Sequence, residues 1–312
     1  MISRRMLRIK VIKTLYAHLK SESDSLMASQ KTLLNSIDKT YDLYVLTLSL
    51  VAELAHYAEQ RQELAKKKQL PTYEDLNPNR KFVDNRVVQL IANSDSVNDY
   101  LASRKLSWAA YPELIKMLYT QLEQTEYFQT YMSQQERSFK DDLALVTEFF
   151  TRELEECEML EDVLDEMSIL WNDDLGFALI MVLRTLSSVR ASHEEIKLVP
   201  KFKSEEDLDF ACELFAKTAV NYDEYQQQIE RFTRNWDVER IAFMDNLIMA
   251  TAVAELVGFE SIPVKVTLDE YIEIAKFYST NSSGTFINGV LDKLVAALQQ
   301  EGRINKSGRG LI

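Results

Sequence analysis

Leu268-Asp269-Glu270-Tyr271-Ile272-Glu273-Ile274-Ala275-Lys276, followed after a short polar stretch by Gly284-Thr285-Phe286-Ile287-Asn288-Gly289-Val290-Leu291-Asp292-Lys293, decides how this chain is read. Both segments have helical patterns, near residues 268–279 and 284–300, yet the second places Asn288 and Gly289 inside its apolar repeat. Glycine within a helix costs roughly 1 kcal/mol relative to alanine. A helix that only filled a core would not favour that pair, so a close backbone approach or a side-chain contact is expected there.

The 312 residues contain only 7 Gly and 5 Pro in all, where average usage would give roughly 12% of the two together. Strand-rich folds need frequent turns and parallel α/β folds need Gly-bearing crossovers, so the composition points to an all-α chain. No Gly-x-Gly-x-x-Gly or Gly-x-x-x-x-Gly-Lys phosphate cradle occurs. Apolar periodicity predicts helices over 3–20, 29–68, 80–92, 112–135, 138–168, 174–190 and 205–219, and over 222–257 with an interruption near Trp236. The 29–68 helix, with Leu34, Ile37, Tyr41, Val45, Leu48, Ala52 and Ala55 on one face, would be roughly 60 Å long at about 1.5 Å per residue. No apolar run reaches the length of a membrane span, and no metal-ligand spacing of His and Cys occurs. Cys157 and Cys212 read as reduced thiols of a cytoplasmic protein. Three histidines and no Gly-x-Ser-x-Gly elbow leave little with which to build an enzyme, so neither catalysis nor a cofactor is expected.

Net charge is −13, but it is unevenly spread. Residues 1–20 carry Arg4, Arg5, Arg8, Lys10, Lys13 and Lys20 and no acid, whereas residues 141–175 hold thirteen acids against Arg152 alone. Salt screens charge over about 10 Å, so a polyanion responds to the local patch and not to the remote total. Arg4, Arg5 and Arg8 offer forked donors for phosphate, and Tyr16 lies two turns beyond Arg8. That combination suits single-stranded RNA, whose bases stack on aromatic rings. An amphipathic first helix with Tyr16 in the core is the competing reading. An Arg-bearing, acid-free start also has the look of a transit peptide.

The two quoted segments together with this opening helix resemble the NusB family. The family's closing pattern, an acidic-apolar helix ending in Ala-Lys and then Phe-Val-Asn-Gly-Val-Leu-Asp, is matched by Leu268–Lys276 and Phe286–Asp292, and its Arg-rich first helix by Arg4, Arg5, Arg8, Leu15 and Tyr16. The resemblance implies an all-helical RNA-binding factor, not an enzyme, acting in transcription antitermination on ribosomal RNA operons. Its implied partners are boxA-type RNA, the small-subunit ribosomal protein NusE and the RNA polymerase antitermination complex. Its implied RNA surface is Arg4, Arg5, Arg8 and Tyr16 at one end, with Asn281, Ser282, Ser283, Phe286 and Asn288 at the other. Met6, Thr285 and Ala250 stand where many members carry a basic residue, so binding weaker in phosphate contacts is expected.

The resemblance spans residues 3–20 and 208–300. It implies a NusB-like helical bundle built from 1–24 and 205–300, a large helical insertion over 25–204 of unassigned role, and a disordered tail at 301–312. The insertion reads either as a protein-binding surface or as scaffolding. If the RNA surface were degenerate, the chain would be a helical interaction scaffold. A NusB-like RNA methyltransferase is disfavoured, because neither cysteine follows a proline and no Gly-rich cofactor loop is present.

Overall fold

Residues 247–256 are buried on every side, which an apolar segment achieves only when other helices surround it. The computed structural model describes residues 1–21, 25–233, 242–280 and 282–311. Among these, every regular element is helical. In chain order they are α1 (Arg4–Lys20), α2 (Leu26–Lys66), α3 (Tyr73–Leu76), α4 (Arg86–Ala92), α5 (Asp95–Arg104), α6 (Pro112–Gln124), α7 (Glu126–Ser133) and α8 (Phe139–Arg152). There follow α9 (Glu158–Met167), α10 (Leu175–Ser188), α11 (Glu206–Val220), α12 (Tyr222–Thr233), α13 (Phe243–Gly258), α14 (Val264–Tyr278) and α15 (Ser283–Gln300). None of these helices is long and apolar enough to cross a membrane.

The chain divides into a continuous unit, residues 38–201 with Met1, and a split unit, residues 2–37 with 202–312. The changeover falls within α2. Several boundaries differ from the sequence reading for local reasons. The helix expected over 112–135 breaks at Thr125, whose hydroxyl caps α7 by accepting from Phe128 N at 3.3 Å. That expected over 138–168 begins with a Ser138/Asp141 capping box and breaks between α8 and α9. The short α3 and α5 were not anticipated. The interruption expected near Trp236 lies outside the described residues.

In the continuous unit, α2 supplies the spine. Leu43, Tyr44, Val45, Leu46 and Leu48 have no exposure, and the indoles of Trp108 and Trp171 donate to the Leu46 and Lys39 carbonyls at 3.0 and 2.7 Å. Asp42 and Asp142 are buried as well. Arg104 reaches Asp42 through both Nε and Nη2, and Tyr100 Oη donates to it at 2.7 Å. Arg137 and Tyr131 do the same for Asp142, with Tyr131 Oη at 2.7 Å.

In the split unit, α13 is the central helix, packed against α1, α11, α12, α14 and α15. Its last turn carries Glu255, which has no solvent exposure. Arg8 of α1, 3% exposed, donates to it through Nε at 2.7 Å and Nη2 at 2.8 Å. Thr267 and Tyr271 of α14 donate to the same carboxylate at 2.8 and 3.1 Å. Burial opposes the Arg8 charge, but the hydrogen bonds and charge of Glu255 outweigh it and hold the guanidinium above its ordinary pKa. Burial, then the Glu255 charge, pushes the Tyr271 phenol well above its usual value, so it remains a donor. After α15 the chain folds back, with Lys306 Nζ donating to Phe259 O at 2.8 Å and Ser307 N to Glu260 O at 3.1 Å.

Removing one partner of a buried ion pair typically costs about 3–5 kcal/mol, because the other charge stays behind unpaired. Glu255→Gln should therefore destabilise the split unit by about that amount, while Tyr271→Phe should cost about 1 kcal/mol. Urea unfolding of the full chain, followed by probes in each unit, checks this: the transition of the split unit should move and that of the continuous unit should not.

Candidate nucleic-acid interface

The arginines of α1 do not stand free. Arg4 Nε donates to Asp207 Oδ1 of α11 at 3.0 Å, and Arg5 grips Glu270 of α14 through Nε and Nη2 at 2.8 and 3.0 Å. Arg8 is enclosed with Glu255, and the Arg4 and Arg8 guanidiniums lie 5.1 and 5.3 Å from the Phe210 ring. Arg8 thus serves the interior and presents nothing to a phosphate. Arg5 keeps 47% of its side-chain exposure and Arg4 38%, so these two face solvent with their charge already shared. Lys10 is buried as well.

A second face of α1 has a different character. Lys13, Tyr16 and Lys20 follow one another at steps of three and four, which places them on one side of a helix. Tyr16, 41% exposed, meets the Phe243 ring edge to face at 5.4 Å. Lys20 Nζ lies 4.2 Å from the same ring, and Lys13 Nζ lies 5.2 Å from the Tyr278 ring. Phe243 opens α13 and Tyr278 closes α14, so two neighbouring helix ends supply aromatic seats for a cationic stripe on α1. Phe277, beside Tyr278, is 80% exposed. Alternating ammonium and aromatic groups can neutralise a backbone and stack bases together.

The segment before α15 is held from below. Ser283 is 1% exposed, and its hydroxyl donates to Asp245 Oδ2 of α13 at 2.9 Å. Ser279 Oγ also donates to Asp245, and Thr280 N donates to Ser283 Oγ at 3.2 Å. Ser283 therefore positions the loop and does not face outward. Ser282 is exposed, Phe286 half-buried and Asn288 exposed, while Asn281 lies outside the described residues. The close contact expected at Asn288-Gly289 is not found at Gly289, around which there is open space, and a β-carbon at Gly284 would meet the Lys276 side chain at 3.4 Å, an ordinary van der Waals distance.

Lys13 and Lys20, counted in the basic arm but not assigned to the RNA surface, join the site, and Phe243, Phe277 and Tyr278 are added to it. The spacing of the lysines around Tyr16 was a usable signal. The aromatic seats were not, since nothing local shows which helix ends lie against α1. Among the described residues no cluster of His, Cys, Asp and Glu is arranged to hold a metal ion.

Comparison with known proteins finds relatives for part of the chain. The NusB family model matches residues 178–296. The transcription antitermination protein NusB of Salinibacter ruber is 46% identical over 114 residues, covering 36% of this chain and 71% of the relative. That of Chloroherpeton thalassium is 32% identical over 139 residues, covering 42% and 66% respectively. The solved structure of T. maritima NusB shares 25% identity over 43% of this chain and 84% of its own, with a TM-score of 0.29. With so close a likeness covering more than two thirds of a relative, the chain belongs to the NusB family of transcription antitermination proteins.

Proposed function

We propose that the split unit binds single-stranded RNA of the boxA type and, together with NusE, joins the RNA polymerase antitermination complex on ribosomal RNA operons. In this reading the protein is a non-catalytic cytoplasmic binding factor. The observation that carries it is the Lys13–Tyr16–Lys20 stripe seated on Phe243 and Tyr278. Tyr16 and Phe286 offer ring faces and Lys13 and Lys20 compensate phosphates, with Ser282 and Asn288 as exposed polar groups near the start of α15. Arg4 and Arg5 contribute less than isolated arginines would, because Asp207 and Glu270 compete for them. Arg8 acts indirectly, by fixing α1. The residues outside the split unit are accessory in this reading, and the boxA-binding module is the pair of segments that make it.

Fluorescence anisotropy with a labelled boxA-type RNA tests the assignment. Tyr16→Ala should weaken binding by about tenfold, in the range of one lost base stack. The double variant Lys13→Ala, Lys20→Ala should lower the slope of log affinity against log salt by about 1.4, at roughly 0.7 per phosphate contact on a single strand. An unchanged slope together with unchanged affinity in Tyr16→Ala would remove this face from the RNA site. Adding a NusE-type ribosomal protein should tighten the wild-type complex.

Glu270→Gln provides an independent check, since it leaves Arg5 in place and removes the acid that occupies it. Affinity for the same RNA should rise by about two- to fivefold at moderate salt. A fall would place the RNA away from the Arg5 end of α1.

A further inference from the structure

The continuous unit carries a concavity that the RNA reading does not use. Between α7 and α8 lies a groove of about 550 Å³, with Tyr131 and Leu145 buried in its floor and Ala144 exposed on its wall. A second groove of about 470 Å³ adjoins it where α6, the end of α8 and the start of α9 meet, flanked by Met117 and Met159. The two share Arg152 and Glu153. Six carboxylates line the pair, Glu126, Asp141, Glu148, Glu153, Glu156 and Glu158, against the single cation Arg152. That cation is already taken by Glu148.

Glu153, at the junction, is fixed without being neutralised. Tyr127 Oη donates to its Oε1 at 3.0 Å and Gln121 Nε2 to its Oε2 at 2.8 Å, both uncharged donors. Clustered carboxylates repel one another, and a carboxylate oriented by neutral donors beside an apolar trough is complementary to a cation borne on an apolar segment. Flexible methionine side chains at the rim adapt to varied apolar partners. RNA does not fit this lining, whose charge would repel phosphates.

We propose that the double groove is a docking site for a basic amphipathic segment of a partner protein, with an apolar side chain lodged between α7 and α8 and a Lys or Arg meeting Glu153. The assignment is independent of the RNA reading, because it uses none of the residues of the split unit.

The test is anisotropy of a short fluorescein-labelled amphipathic peptide of Lys, Arg and Leu titrated with the full chain, beside a Lys/Ser peptide of equal charge. Wild type should bind the amphipathic peptide more tightly than its non-apolar counterpart. Glu153→Gln, which keeps an acceptor for Tyr127, should weaken binding about tenfold, as should Ala144→Trp, which fills the trough at an exposed helical position without altering charge. Glu194→Gln, removing one exposed acid elsewhere in the same unit, should change it by less than about twofold. Equal effects of Glu153→Gln and Glu194→Gln, or no effect of Ala144→Trp, would reduce the binding to non-specific attraction and overturn the site. Failure of the wild type to prefer the amphipathic peptide would do so too, and so would a self-association abolished by Ala144→Trp, which would assign the groove to a second copy of the chain.

Discussion

A carboxylate without solvent exposure has to be answered from within the protein, and in the split unit Glu255 sets that requirement. Its two oxygens receive a bidentate arginine from α1 and two hydroxyls from α14, so one side chain on α13 dictates how both neighbours are turned. The consequence for α1 follows from helical geometry at about 100° per residue. With Arg8 aimed at Glu255, Arg4 and Arg5 fall roughly 40° and 60° to either side, where Asp207 and Glu270 meet them. Tyr16, Lys20 and Lys13 fall about 80–140° around the helix, together and toward Phe243 and Tyr278. The exposed stripe is thus presented by a buried ion pair.

The continuous unit uses the same chemistry twice. Asp42 and Asp142 are each clasped by an arginine fork and a tyrosine hydroxyl, as Glu255 is by Arg8 and Tyr271. Such clusters add little net stability over apolar packing of equal volume, since desolvation offsets most of their attraction. Their geometric demands are strict, however. In an all-helical chain poor in Gly and Pro, apolar faces alone would tolerate sliding and rotation, and a bidentate pair between elements distant in sequence removes that freedom.

Much of the helical content was legible because periodicity is local. The long α2, the first helix and the two closing helices were read from apolar spacing, and the family motifs at Leu268–Lys276 and Phe286–Asp292 were visible as written. The breaks at Thr125 and between α8 and α9 were hidden, since a polar residue in a helical pattern looks the same whether it caps a helix or faces water. The site was harder. Arg8 and Arg5 differ by three positions and not in type, yet one is enclosed and the other is half exposed. What separates them is Glu255, 247 residues away, and no local pattern reports such a partner.

The neutralised arginines change what kind of binding the basic arm can offer. Three of its six cations face Asp207, Glu270 and Glu255, so the charge of residues 1–20 overstates the field that a phosphate would meet. Affinity built on many bare cations is sequence-blind and collapses with salt. Affinity built on Tyr16 and a few lysines held against aromatic rings depends more on bases that can leave their stack, which single strands allow and duplexes do not. Under the proposed RNA reading, such a surface on an acidic protein would discriminate by the state of the nucleic acid more than by its charge, as a factor that must find an unpaired segment among abundant folded RNA would require.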